Sequence, residues 1–482
     1  MHAPPTPATT AGVAGGLVQV VRADRHTVLR WTVAVIAAAV VVRVGWAAWI
    51  AHAEPEAVRT PDTPGYLEPA WALIDNGRFS LSPEDPTPMY VRTPGYPAFL
   101  VPILSLTNSE WAISPVQAVV SLLAVAATTL VGWRLFGKTA GLLAGAVVAV
   151  DPLQFLSAGT IMTETLATVV LTAIVAVGAL VFALRKPTQV PALAMVALGV
   201  LAGVATMVRP TFWLYPIALL ALLAVRFRSL GWRPLVFRLL AFALPVVAVV
   251  GGWQLRNHST VDSWDVAGIA DINLYCYNAA EVQANADGIA YDDARQRLGC
   301  PALLSDPNPA GVCTRSFGYG CWMPDPDAAG QGFDAWGSDG ISIMLDHPVR
   351  TAKMLAEGVA GQVAGSGQSK LTWYLGIDGS PVLTLGLFAW AWVLWAFAAV
   401  GAVAGLGSRY RAFWIFVIVT IGFVILMSAG KAGDARFRAP LVPLIALLAA
   451  LGVRDCVHRL RRAALAPGPV RQEQPVAGVA EG

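Results

Sequence analysis

Apolar runs alternate along this chain with short polar connections, and most are long enough for a helix to cross a bilayer, which takes about 20 residues. They fall at 31–51, 115–133, 139–158, 165–184, 191–208, 212–225, 234–253, 381–406, 412–428 and 439–453, ten in all. The third run contains Asp151-Pro152 and the sixth is short. A further apolar stretch, 96–106, is too short to span and predicts a buried or interfacial helix. Two long polar segments, 52–114 and 257–380, interrupt the pattern. The pattern predicts an all-α polytopic membrane protein of about ten transmembrane helices.

Basic residues orient these runs, because short cytoplasmic loops carry the excess of lysine and arginine. Arg22, Arg25 and Arg30 precede the first run, Arg134 and Lys138 follow the second, and Arg185 and Lys186 the fourth. Arg226, Arg228, Arg233 and Arg238 surround the next such turn, Arg409 and Arg411 the one after it, and Arg454, Arg459, Arg461 and Arg462 follow the last run. Ten spans put every group on one side. That side is the cytoplasm, both termini lie there, and both long polar segments lie outside. Ala51-His52-Ala53 resembles a signal-peptidase site, but the run before it is longer than a signal core, so the first helix is expected to be retained.

The expected organisation is a cytoplasmic tail (1–30), an N-terminal transmembrane module with its first outer loop (31–256, loop 52–114), an extracytoplasmic loop (257–380), C-terminal transmembrane helices (381–453) and a cytoplasmic tail (454–482). Composition agrees. Hydrophobic residues make up 56% and charged residues 13%, with mean hydropathy +0.60, where soluble proteins carry about 25% charged residues. A net charge of +3 gives no reason to expect nucleic acid as a partner. The 257–380 loop has 15 acidic against 6 basic residues and holds Cys276, Cys300, Cys313 and Cys321, while Cys456 stands apart. No two of these form a C-x-x-C pair, which weakens a zinc reading, and an external position favours disulfides. Two bridges are expected, with the pairing open.

Charged residues then gather at the outer ends of the apolar runs, where they are costly and call for a reason. Asp62 lies beyond the first run, Asp151 and Glu164 bracket the outer turn of the third and fourth, Arg209 ends the fifth, and Arg256-Asn257 ends the seventh. Lys431, Asp434, Arg436 and Arg438 fill the turn before the tenth. Carboxylates with guanidiniums suit transfer of a sugar from phosphate to hydroxyl. A base takes the acceptor proton, and cations stabilise the leaving phosphate. Arginine fits the second task because its planar fork matches phosphate oxygens. Trp373 and Tyr374 are candidates for stacking on a sugar. The structural alternatives are a helix-end turn at Asp151-Pro152, a first-turn carboxylate at Glu164, and pairing of Arg436 and Arg438 with Asp434.

The motifs, in order, resemble the GT-C superfamily of membrane glycosyltransferases, and within it the bacterial group related to protein O-mannosyltransferases and lipid A aminoarabinose transferases. They are Asp62-Thr63-Pro64-Gly65-Tyr66, Arg92-Thr93-Pro94-Gly95-Tyr96-Pro97, Asp151-Pro152 with Thr163-Glu164, Arg209-Pro210, Trp253-Gln254-Leu255-Arg256-Asn257, and Gly433-Asp434-Ala435-Arg436-Phe437-Arg438-Ala439-Pro440. The resemblance implies inverting transfer from a polyprenyl-phosphate sugar to a glycan, lipid or protein acceptor, on the outer face of the cell membrane. Asp62 would be the general base, with Glu164 as the other catalytic candidate. Tyr66, Arg92, Asp151, Arg209, Arg256, Asn257, Lys431, Arg436 and Arg438 would bind substrate. The resemblance makes no cofactor certain and leaves a divalent metal open. Many relatives carry Asp-Glu at the first motif, whereas Thr63 follows Asp62 here, which removes a second acid at that point. Phe437 stands where a tyrosine is usual. A transporter of lipid-linked sugar is the competing class, because the same arginines would bind phosphate without chemistry.

Overall fold

The structure is a computed structural model. It describes residues 25–53, 58–300, 329–367 and 380–465, and Cys313, Cys321, Trp373 and Tyr374 lie outside them. Every apolar run becomes helix. The chain starts with α1 (Arg25–Ala53), and the first polar segment carries α2 (Pro64–Asn76) and α3 (Gly95–Thr107). Then come α4 (Ile113–Phe136), α5 (Lys138–Val150), α6 (Pro152–Gly159), α7 (Glu164–Ala179), α8 (Ala192–Val208), α9 (Tyr215–Phe227), α10 (Trp232–Val246) and α11 (Gly252–Val261). The second polar segment holds α12 (Ile269–Ile272), a π-helical stretch Asn273–Ala279, α13 (Ala280–Asp287), α14 (Tyr291–Arg297), α15 (Ala329–Asp346) and α16 (Pro348–Ala364). Last are α17 (Pro381–Leu406), α18 (Arg411–Met427), a 3-10 turn Ala435–Leu441 and α19 (Val442–Leu465). Among the described residues, the only β pairing outside helices is an isolated bridge between Ser80 and Pro88.

Among the described residues, six continuous helices are long and apolar enough to cross a membrane, and α5 with α6, bent by 47° at their junction, makes a seventh. The remaining apolar helices are shorter: Ala37–His52 within α1, then α3, α8 and α18. Of these, α3 is the stretch expected to be too short to span. It is anchored by Tyr96, Leu100 and Leu104, none of them accessible. The segment containing α19 sits at the centre, with 72% of its most apolar stretch buried, whereas the α10 segment has 11% buried and lies at the periphery.

The break in the third run has a local cause and a distant remedy. Pro152 has no N–H to give to the carbonyl of Val148, four residues earlier, so α5 ends there. Asp151 restarts the chain as the N-cap of α6, its carboxylate accepting from the Gln154 amide. Fully buried Arg43, projecting from α1, donates to the Val148 carbonyl, to the Ala149 carbonyl at 3.5 Å, and to Ser121 Oγ at 2.8 Å. The arginine inside the first span thus satisfies backbone that the proline orphans.

The two polar segments form one body. Tyr90 of the first packs with Val261, Ile272, Cys276, Cys300 and Phe333 of the second. The amides of Gly268 and Ile269 bond the carbonyls of Tyr90 and Val91 at 3.2 and 3.3 Å. A disulfide joins Cys276 to Cys300, one pair among the four cysteines of that segment, and Cys456 is unbridged among the described residues. On the other side, α16 meets the turn before Ala435–Leu441 backbone to backbone. A Cβ at Gly358 would come within 2.3 Å of the Gly430 amide nitrogen, so only glycine admits this approach.

Arg43→Met should leave the Val148 and Ala149 carbonyls without a donor in an apolar interior, at a cost of about 1–3 kcal/mol. A lower midpoint of unfolding in detergent would register this, and an unchanged midpoint would contradict the role assigned to Arg43.

Candidate active site

Asp62 lies at the entrance to α2, in a turn fixed by its neighbours. Thr63 is fully buried; its hydroxyl accepts from the Thr60 amide at 2.8 Å and donates to the Ile161 carbonyl at 3.1 Å. Pro64 then opens the helix, where a missing N–H costs nothing. Where many relatives would place a second acid, this chain ties the loop to the α6–α7 turn. Arg92 stands just ahead of α3, on the stretch held by Gly268 and Ile269. Arg436 is directed by Asp434, whose carboxylate accepts from the Arg436 amide at 2.9 Å and so starts the turn Ala435–Leu441.

These three segments meet at one carboxylate. Arg92 Nη2 donates to Asp62 Oδ1 at 2.9 Å and Arg436 Nη1 to Oδ2 at 3.1 Å. Burial pushes the Asp62 carboxyl up, but the two guanidiniums outweigh it and hold the group below its ordinary value. Asp62 is therefore ionised throughout the neutral range. Behind it, fully buried Glu164 at the start of α7 faces Arg209 Nη1 at 3.8 Å. The Phe437 ring lies between two cations, with Arg209 at 4.7 Å and Arg436 at 5.1 Å from its centroid. Arg92 covers the Tyr66 ring at 5.0 Å. Burial raises the pKa of the Tyr66 phenol, which stays neutral.

The group opens into a cavity of about 610 Å³. Asp62, Tyr66, Arg92, Arg209, Arg436 and Phe437 line its polar end. Its other walls include Leu426 and Met427 at the end of α18, Met344 and Leu345 of α15, and Tyr277 and Asn278 of the second polar segment. Three guanidiniums, Arg92, Arg209 and Arg436, stand among three carboxylates, Asp62, Glu164 behind Arg209 at 3.8 Å, and the half-exposed Asp434 at 3.8 Å from Arg436 Nε. Among the described residues, Arg209 Nη1 and Arg436 Nε are buried with no hydrogen-bond acceptor, the nearest carboxylate oxygens, of Glu164 and Asp434, standing at 3.8 Å. Buried donors without acceptors are uncommon and costly, and an anion placed here would satisfy both. Both oxygens of Asp62 face guanidiniums, so this carboxylate is not arranged to hold a metal ion.

Other residues expected at the site stand apart from the cavity. Asp151 caps α6 and accepts from Trp390 Nε1 at 2.8 Å. Arg256 donates to the carbonyls of Met89 at 2.9 Å and Phe79 at 3.0 Å, and Asn257 to that of Asp265 at 2.8 Å. Lys431 pairs with Glu281 at 2.7 Å. Arg438 donates to the carbonyls of Gln362, Val363 and Gly365 at 2.8, 2.9 and 3.1 Å. Each of the five joins one segment to another. Phe437 was noted only as a departure from the late motif, and its place between two arginines signals its part in the site. Tyr277 and Asn278 belong to no motif, and only the packing brings them in.

Residues 91–253 match the family model described as dolichyl-phosphate-mannose-protein mannosyltransferase. This match covers about a third of the chain and agrees there with the resemblance carried by the motifs. Among solved structures, it is similar to the oligosaccharyltransferase AglB from Archaeoglobus fulgidus, in complex with an inhibitory peptide and a dolichol-phosphate. The identity is 13% and the TM-score 0.45, over 92% of this chain and 52% of that one. ArnT from Cupriavidus metallidurans in the apo state is 14% identical with a TM-score of 0.34, over 92% of this chain and 81% of ArnT. ArnT bound to undecaprenyl phosphate is 15% identical with the same score, over 90% and 80%. The chain spans about half the length of the archaeal enzyme. No curated protein matches it in sequence.

Arg438→Ala should release three carbonyls of α16 and its end, costing about 2–3 kcal/mol given that bonds to charged groups contribute about 1.5–3 kcal/mol. Thermal unfolding of the purified variant checks this, and wild-type stability would show those bonds to be dispensable.

Proposed function

We propose that this protein transfers a sugar, with inversion, from a polyprenyl-phosphate donor to a glycan, lipid or protein acceptor on the extracytoplasmic face of the plasma membrane. The observation that carries the reading is the pair of buried, unsatisfied guanidinium donors, Arg209 Nη1 and Arg436 Nε, beside an ionised aspartate in a cavity with apolar walls. The family description, which names a lipid-phosphate sugar, supports the donor class.

The chemistry follows from charge. The donor phosphate docks on Arg209 and Arg436, and the prenyl chain follows the apolar side of the cavity. As Arg436 turns to the phosphate, Oδ2 of Asp62 loses its partner and becomes the acceptor for a proton, while Arg92 keeps the carboxylate in place through Oδ1. The acceptor hydroxyl attacks the anomeric carbon from the face opposite the phosphate and passes its proton to Asp62. The bond from that carbon to the phosphate oxygen breaks with its electron pair on the phosphate, and one displacement inverts the configuration. The guanidiniums gain most as charge builds on the departing phosphate. Glu164 holds Arg209 and is the next candidate for the base. Asp151, Arg256, Asn257, Lys431 and Arg438 serve by keeping the walls together.

Sugar transfer in membranes with a polyprenyl-phosphate donor tests the assignment. Asp62→Asn keeps the shape but cannot take a proton, so turnover should fall about 100- to 10,000-fold, the usual contribution of a general base, while donor binding is retained. Arg436→Ala should weaken donor binding as well, because the phosphate contact exists before and during transfer. Near-normal transfer by Asp62→Asn would remove Asp62 as the base. A lipid-linked sugar transporter would tolerate Asp62→Asn yet suffer from Arg436→Ala.

Orientation has its own check. A reporter inserted among residues 301–328 should read external, and one placed after Arg409 cytoplasmic. The reverse result would move the site to the other face.

A further inference from the structure

Outside the cavity, Asp265, Asp271 and Asp334 bring one carboxylate oxygen each within 4.8 Å of one another. They come from three places: the turn after α11, the short helix α12 and the first half of α15. No lysine or arginine is paired with them among the described ion pairs. Asp271 is only 5% exposed, and its Oδ2 is sealed from solvent with no hydrogen-bond donor. Its Oδ1 lies so close to α15 that a Cβ at Gly337 would come within 2.2 Å of it. A buried, unpartnered carboxylate oxygen among two more carboxylates is a costly arrangement that needs a counter-charge. Burial first, and the charges of Asp265 and Asp334 next, push the Asp271 carboxyl up to about 8.

We propose that Asp265, Asp271 and Asp334 bind a hard divalent cation such as calcium, which clamps α15 to the turn leading into the cavity wall. All the donors are hard oxygens, which suit calcium, magnesium or manganese better than copper or zinc. Calcium–oxygen bonds of about 2.3–2.6 Å let two ligands stand up to about 5 Å apart, whereas magnesium, at about 2.1 Å, draws them to about 4.2 Å or less. Oxygens that all lie within 4.8 Å of one another fall inside the span a calcium ion can bridge. Ser263 supports the group from outside, its hydroxyl donating to Asp334 Oδ1 at 2.8 Å and lying 2.8 Å from the Tyr90 hydroxyl. The clamp acts at a useful point. Asp271 lies in α12, and Ile269, Ala270, Ile272, Asn273 and Leu274 around it line the cavity. The ion would hold that wall in the way the Cys276–Cys300 bridge holds the next turn.

The rival account is a shared proton only, held between Asp265 and Asp271 with no metal. Terbium separates the two. Trp264 adjoins Asp265 and Trp336 lies two residues beyond Asp334, so either indole can sensitise a lanthanide bound there. Full-length protein in neutral detergent, stripped with EDTA, should give saturable terbium luminescence that calcium displaces, and millimolar calcium should raise its melting temperature. Asp334→Asn keeps an acceptor for Ser263 on an exposed side chain and should weaken terbium binding by about tenfold or more, since ligand charge sets calcium affinity. Asp346→Asn, on the same helix but outside the group, should bind as the wild type does. No saturable signal, or equal affinity in Asp334→Asn, would overturn the proposal and leave the shared proton. The readout is metal binding, so its failure is independent of any result on sugar transfer.

Discussion

The Asp62 carboxylate, held between Arg92 and Arg436, is the contact on which the arrangement depends. It joins residues 30 and 374 positions away in sequence, and through them the first polar segment, the entrance to α3 and the turn ahead of α19. A carboxylate taken out of water is tolerated only when paired. Each of the three side chains therefore requires the others, and the segments that carry them must meet at one point. The same requirement sets the charge of the cavity. Asp62 uses one guanidinium on each oxygen, Glu164 faces the third, and Asp434 stands at the outer side of Arg436.

What surrounds this point serves to keep it in register. Helix ends would move freely if their backbone were left unsatisfied, and the fold spends buried polar side chains to prevent that. Arg43 answers the carbonyl that Pro152 cannot, Asp151 caps the helix that follows, and Arg438 gathers the end of α16. The second polar segment closes over the cavity through the backbone contact of Gly358 with Gly430, the Cys276–Cys300 bridge and its packing on Tyr90. The proposed cation would be a further clamp of this kind.

Arginines that look alike in sequence divide into two groups by what they find nearby. Arg256 and Arg438 stand in motifs as suggestive as those of Arg209 and Arg436, yet their donors are consumed by backbone carbonyls. Arg209 and Arg436 keep buried donors without acceptors on the cavity wall. For anion binding, the presence of a guanidinium matters less than whether the protein has already used its hydrogens.

Sequence alone determined the helices, because apolar length is a local property that lipid enforces. It also marked the break at Asp151-Pro152, the short helix at α3, and the candidate residues Asp62, Glu164, Arg92, Arg209 and Arg436. Thr63 was read only as a missing acid, since its hydroxyl bond reaches Ile161, which no local pattern can reveal. Which cysteine pairs with Cys276, which arginines face the cavity, and that Tyr277 and Asn278 line it were decided by tertiary structure. Those outcomes turn on which partner lies within about 3 Å, and such contacts form between segments far apart along the chain.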